Sequence, residues 1–223
     1  MEKFELFENE RATAYDSFVK NWIPNYGTFL NMLPYLFNDT RNDKLLAVGC
    51  GTGNEILVLK KNGYSGSIMG IDPSPEMIAQ ATDKLKEYSD IVLKEVLVSQ
   101  LTIDHQFNAA TLILVLHFLK DDGEKLDLLR DISIRLEPKA LLIMLDITGN
   151  EKEIKKNLEI LRKLLPEDMG QDEISKRMDR IYHELQHVSE ERIIELFIEA
   201  GFEEPTKFFQ STVYMGWMAR KKD

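Results

Sequence analysis

Apolar residues recur at helical spacing from residue 11 to residue 37, with breaks near Pro24 and Gly27. They predict two short helices in an N-terminal cap segment, residues 1–40. A different rhythm follows. Lys44 to Val48 is a strand-like apolar run, residues 54–62 have helical spacing, and Ser67 to Ile71 predicts a second strand. Ser74 is placed to cap the next helix with Pro75 in its first position, and Ile78, Ala81 and Leu85 share its inward face. Residues 91–98 (IVLKEVLV) and 109–116 (AATLILVL) predict a third and a fourth strand. The fourth is apolar almost throughout, as in a parallel strand covered on both faces. A helix over 122–136 and a fifth strand from Ala140 to Leu145 continue an alternation that means a parallel α/β sheet.

The rhythm then changes again. Ile154, Leu158, Leu161 and Leu165 mark one amphipathic helix, and Ile174, Met178, Ile181, Leu185 and Val188 mark another. Residues 150–188 are too long for an ordinary crossover and read as a helical insert within a single domain spanning 1–223. Ser189 caps a further helix that stops at Gly201, and the tail TKFFQSTVYMGWMARKK carries two strand-like runs suited to a closing hairpin.

Composition narrows the function classes. With 223 residues the chain can bury a full core, and 43% apolar and 30% charged residues describe an ordinary globular protein. Its 38 acidic residues against 28 basic ones give a formal charge of -10. That balance disfavours a nucleic-acid or anionic-membrane partner and leaves small molecules as the expected substrates. A single cysteine, Cys50, fits a reducing compartment, and the acidic N-terminus lacks the basic start of a signal peptide. The expectation is a cytoplasmic protein with no membrane segment.

The chemistry is carried by AVGCGTGN, residues 47–54, between the first strand and its helix. Alternate glycines there permit a tight turn and close approach of backbone to ligand. A Walker phosphate loop needs Lys and Ser/Thr after its glycines, yet Asn54 and Glu55 follow Gly53. A dinucleotide fingerprint beginning at Gly49 would need glycine where Asn54 stands, and Glu55 is an awkward neighbour for a pyrophosphate. Asp72 ends the second strand, where a carboxylate can accept both hydroxyls of a ribose. The chain asks for a nucleoside without an evident phosphate.

GCGTG followed by GIDPSPEMI, within this strand order, resembles the class I S-adenosylmethionine-dependent methyltransferases, and the similarity in layout covers nearly the whole chain. The resemblance implies a Rossmann-like, seven-stranded, mostly parallel sheet with an antiparallel last strand, and S-adenosyl-L-methionine as cofactor. It implies that Gly49, Cys50, Gly51 and Gly53 bear on the methionine part of that cofactor. Asp72 would hold the ribose, and Pro73, Met77, Leu97 and Val98 would lie near the adenine. Leu114 to Phe118 would end the fourth strand where methyl donor and acceptor meet. The stretch EISKRMDRIYHELQHVSEERIIELFIEAGF and the tail also resemble a branch containing enzymes that make carboxy-S-adenosylmethionine, with Arg177 near their basic residue. That branch implies a homodimer.

Three departures from the family pattern stand out. Ala47 occupies the place of an acid two residues before the first glycine, Ser99 and Gln100 follow the third strand where an acid is common, and Asn108 replaces an aspartate. The first removes an acceptor for the methionine ammonium; Ser99 or Gln100 can substitute for the second. Restoring Ala47→Asp is expected to raise cofactor affinity. His117, directly after the fourth strand, is the candidate catalytic base, and Tyr15, Tyr26, Arg177 and Tyr182 are candidates for the acceptor pocket. His183 and His187 match HExxH on one helical face, but within the insert of a nucleoside-binding domain the expectation is no metal. The readings are methyl transfer to a small molecule, modification of the cofactor itself, or cofactor binding without catalysis.

Overall fold

Strand order reverses at the centre of a seven-stranded sheet, β3-β2-β1-β4-β5-β7-β6, in the computed structural model, which describes residues 14–37, 44–103 and 107–223. The strands are β1 (Lys44–Val48), β2 (Ser67–Asp72), β3 (Ile91–Glu95), β4 (Phe107–Ile113), β5 (Leu136–Ile147), β6 (Thr206–Ser211) and β7 (Tyr214–Arg220). β1 to β5 are mutually parallel, while β7 runs antiparallel to both β5 and β6. The expected antiparallel last strand is therefore present, inserted between β5 and β6.

Helices α1 (Tyr15–Trp22) and α2 (Tyr26–Leu36) precede the sheet, broken at Pro24–Asn25; Gly27 lies inside α2. Asn25 takes φ 63 at that break, a conformation asparagine tolerates. Next come α3 (Asn54–Lys61), α4 (Pro75–Leu85) and α5 (Glu124–Ser133), then α6 (Glu151–Leu164), α7 (Gln171–His183) and α8 (Glu190–Glu199). The Ser74 hydroxyl accepts from Met77 N and the Ser189 hydroxyl from Arg192 N, so both foreseen caps form.

The sheet is buried on both faces, which is why its central strands are continuous apolar runs. Leu45 and Ala47 of β1 face a core shared with α1 to α4, α6 and α7. Leu46 and Val48 face a second core built with α5 and α8. Removing a buried leucine from either layer would cost about 2–5 kcal/mol. No helix among the described residues is long and apolar enough to cross a membrane.

Several boundaries differ from expectation: α5 ends at Ser133, not at residue 136, and β5 runs from Leu136 to Ile147 where Ala140 to Leu145 was expected. β3 stops at Glu95 and passes into a 3-10 turn at Val98–Gln100. β4 stops at Ile113, because Leu114 takes φ 60 and a 3-10 turn covers Leu116–Phe118. α7 stops at His183, before Leu185 and Val188.

Candidate functional site

The reversal of strand order between β1 and β4 opens a crevice at the carboxyl ends of the strands, the usual ligand position in open α/β sheets. Gly49, Gly51 and Gly53 leave β1 with φ 64, 51 and 78, values that side chains resist. A Cβ on Gly49 would run into Val115, and one on Gly53 would lie 2.8 Å from Leu85 Cδ1. On Gly51 it would point toward Tyr15 and Met77 at 3.8 and 3.9 Å, so this glycine keeps the loop's open side clear. Asp72 ties the loop to β2: Gly51 N donates to its Oδ2 and Ser74 N to its Oδ1, both at 2.9 Å. Burial pushes the Asp72 carboxyl up, against the pull of those two donors. Each oxygen keeps a lone pair for a further donor.

The crevice is a cavity of about 900 Å³. Its lining comes from the ends of β2 and β3 (Asp72, Pro73, Leu97, Val98, Ser99), from α4 (Met77), from the glycine loop and the turn after β4 (Gly49, Gly51, Leu114, His117, Phe118), and from α1 and α7 (Phe18, Trp22, Arg177, Arg180). Leu114 is held in its strained conformation by donating its N–H to Leu145 O at 2.7 Å.

On the cavity wall the ring of His117 is oriented by Asp146, the last acid of β5, at 2.8 Å from Nδ1. Asp146 also accepts from the backbone N–H groups of Val115, Leu116, His117 and Ile147. A carboxylate so surrounded by donors fixes the turn after β4 and the imidazole together. Beneath it the buried Lys125 ammonium donates to Leu116 O and Gln186 O, and burial lowers its pKa to about 8.

Residues 46–142 match the methyltransferase domain family. The matched segment runs from β1 into β5 and holds the glycine loop, Asp72 and the turn after β4. The likeness in fold extends over nearly the whole chain in solved structures. N-methyltransferase NodS from Bradyrhizobium japonicum, in complex with S-adenosylhomocysteine, superposes with a TM-score of 0.63 at 16% identity, covering 94% of this chain and 99% of that one. The plantazolicin methyltransferase BpumL reaches 0.71 at 12% identity, over 97% and 92%. Among curated sequences, carboxy-S-adenosyl-L-methionine synthase 1 of Yersinia pseudotuberculosis is 23% identical over 96% of this chain and 92% of its own length.

On this fold the foreseen residues divide. Gly49, Gly51, Asp72, Pro73, Met77, Leu97, Val98, Leu114 and His117 converge on the cavity, joined by Tyr15 and Arg177. Arg177 stacks on Phe18 with its guanidinium carbon 4.3 Å from the ring centroid, and pairs with Glu173 at 2.7 Å. Ser99 lines the cavity, whereas the Gln100 side chain is spent accepting from Leu97 N at 2.8 Å. Asn108 is bound to Glu137 away from the cavity lining.

Other candidates fall elsewhere. Gly53 starts α3 and packs on α4, and Cys50 and Tyr26 line a small recess under the glycine loop instead of the cavity. Tyr182 is half-buried against the helical core and does not reach the cavity wall. The histidines of HExxH do not share a helical face: α7 ends at His183, and the His187 ring lies 3.1 Å from Gly149 O. Asp146, Glu55, Asp16 and Lys84 were missed. Asp146 ends an apolar strand just as Asp72 does, and that signal was legible.

Proposed function

We propose that this protein binds S-adenosylmethionine and transfers its methyl group to a small-molecule acceptor held beneath α1 and α7. The observation that carries this reading is a cavity lined by the Asp72 carboxylate after β2, the glycine loop after β1 and a carboxylate-oriented imidazole after β4, three neighbouring strand ends. The residues fit such a ligand: Asp72 has acceptor capacity to spare, and Gly51 leaves open the space a side chain would take. Pro73, Met77, Leu97 and Val98 offer an apolar slot for a purine. When bound, the cofactor supplies an electrophilic methyl group on a sulfonium whose departure needs no proton.

The protein's own part is orientation and exclusion of water, which can supply most of the acceleration. With its Nδ1 proton held by Asp146, His117 has Nε2 free as an acceptor, suited to take the proton of an oxygen or nitrogen nucleophile. Phe18, Trp22 and Tyr214 wall the acceptor end with apolar surface.

A second reading has specific support. Curated relatives over nearly the full chain are carboxy-S-adenosylmethionine synthases, and Arg177 lies on the cavity wall, where it would meet an incoming carboxylate. Native mass spectrometry of the purified protein separates the two. Retained S-adenosylmethionine or S-adenosylhomocysteine supports methyl transfer, and the carboxylated cofactor supports the second reading. A folded sample that binds none of the three by calorimetry would sink both.

A further inference from the structure

Ala47 leaves a question that its own strand does not answer. It is fully buried, paired laterally with Gly70 and Thr111, and faces the core covered by α3. The carboxylate it lacks has no substitute along β1. One does arrive from above. Glu55, in the first turn of α3, is 4% exposed and turns into a recess of about 10 Å³ beneath the glycine loop. The recess shares Tyr15, Gly49 and Ile113 with the large cavity, so the two adjoin across the loop.

We propose that Glu55 supplies the carboxylate that Ala47 lacks, receiving the primary ammonium of an amino-acid-bearing ligand beneath Gly49. This rests on the cofactor reading above, which it deepens by naming the residue that binds the amino-acid end. The size of the recess suits one water-sized group, which is the size of an ammonium. Its chemistry suits a cation: among the described residues no lysine or arginine lines it, and Glu55 is its one carboxylate. Lys84, the nearest basic influence, is already engaged by Asp16, Thr52 and Asn54. The ligand's direction follows from the rest of the cavity. A purine occupies the apolar slot beyond Asp72, and the opposite end of the molecule then runs over Gly51 and Gly49 toward the recess.

The groups facing Glu55 are Tyr15 from α1, Tyr26 from α2, Cys50 of the loop, Asp72 from the end of β2, and the charges of Asp16 and Lys84. Burial pushes both phenols and the thiol up, so all three stay neutral around neutrality. Burial also raises Glu55 to about 8, with its own backbone N–H and Lys84 pulling the other way and Asp72 adding to the rise. A ligand cation in the recess would favour the ionised form, and binding would release a proton below that range.

The test is calorimetric titration of the wild type and Glu55→Gln with S-adenosylhomocysteine and with 5′-methylthioadenosine, which keeps the nucleoside and the sulfur but lacks the amino acid. Glu55→Gln is expected to weaken S-adenosylhomocysteine about tenfold or more and to leave methylthioadenosine unchanged. The wild type should bind S-adenosylhomocysteine more tightly as pH rises from about 6 to about 8, relative to methylthioadenosine, and Glu55→Gln should lose that difference. Titration of Asp72 affects both ligands alike and cancels in the comparison. Equal affinity of the two proteins for S-adenosylhomocysteine, or equal weakening of both ligands, would overturn the assignment while leaving the cofactor reading standing. Failure of the wild type to bind either ligand would remove the cofactor reading, and the Glu55 assignment with it.

Discussion

Asp146 shows how one side chain can set both a turn and a candidate base. It receives His117 Nδ1 together with four backbone N–H groups, so Asp146→Asn presents an amide where donors converge. A loss of about 3 kcal/mol in urea unfolding is expected, with the Nδ1-H tautomer of His117 no longer dominant in long-range ¹H–¹⁵N spectra. A merely structural aspartate would move the first readout and not the second. Glu55 is the opposite case. Its carboxyl is raised in the folded protein from 4.5 to about 8, so the folded state holds a proton that the unfolded chain has released. Its cost is absent in acid and grows as pH climbs from about 4 to about 8. Glu55→Gln should therefore raise the urea midpoint at about pH 8.5 and leave it nearly unchanged at about pH 4.5. The same residue reverses the expectation for Ala47→Asp. A second carboxylate would be buried on the face that already holds Glu55, and the substitution should cost about 3 kcal/mol of stability instead of restoring affinity.

At the scale of elements, α1 is fastened over the glycine loop by its acid. Asp16 Oδ1 accepts from Thr52 Oγ1 at 2.6 Å and Asn54 Nδ2 at 2.8 Å, and its Oδ2 meets Lys84 Nζ at 2.7 Å. In Asp16→Ala, amide exchange over residues 15–22 is expected to quicken by roughly tenfold while β1 and β4 stay protected. Uniform acceleration would mean that the contact holds the whole fold and not α1 alone. The cluster shows where sequence legibility ends. Periodicity located every described helix and strand, and Ser74 and Ser189 announced their helices through local chemistry. It failed at β3, β4 and α7, and the reason is common to all three. Apolar residues continue past the last ladder or helical bond, so composition carries no stop signal. At β4 and α7 the stops are long-range: Leu114 N binds Leu145 O, the next turn hangs on Asp146, and Gln186 N donates to His117 O beyond α7. Ala47 and Glu55 fail for the same reason. One absence and one buried acid, eight residues apart, become one site only once α3 lies over β1.

Across the whole molecule, the cavity gathers the carboxyl ends of the parallel strands, and the one reversed strand contributes from its opposite end. Because β7 is antiparallel, its first residue, Tyr214, pairs with Ile147 at the same edge of the sheet and lines the cavity. The Tyr214 hydroxyl shares a hydrogen bond with the Trp22 side chain, which couples α1 to the far half of the sheet. A ligand filling this space touches β1, β2, β4, β7, α1 and α7 together, so its binding energy acts on the folded unit as a whole. S-adenosylhomocysteine at about 100 times its dissociation constant contributes about 2.7 kcal/mol, or roughly 5–10 °C in melting midpoint for a chain of this size. Protection from exchange should rise together at residues 49–53, 72–77, 97–99 and 114–118 and along α1 and α7. In Asp72→Ala the shift, measured from that variant's own midpoint, should largely vanish. A full shift confined to the glycine loop, with α1 and α7 exchanging as before, would show that the cap does not take part in binding and that the acceptor is held by other elements.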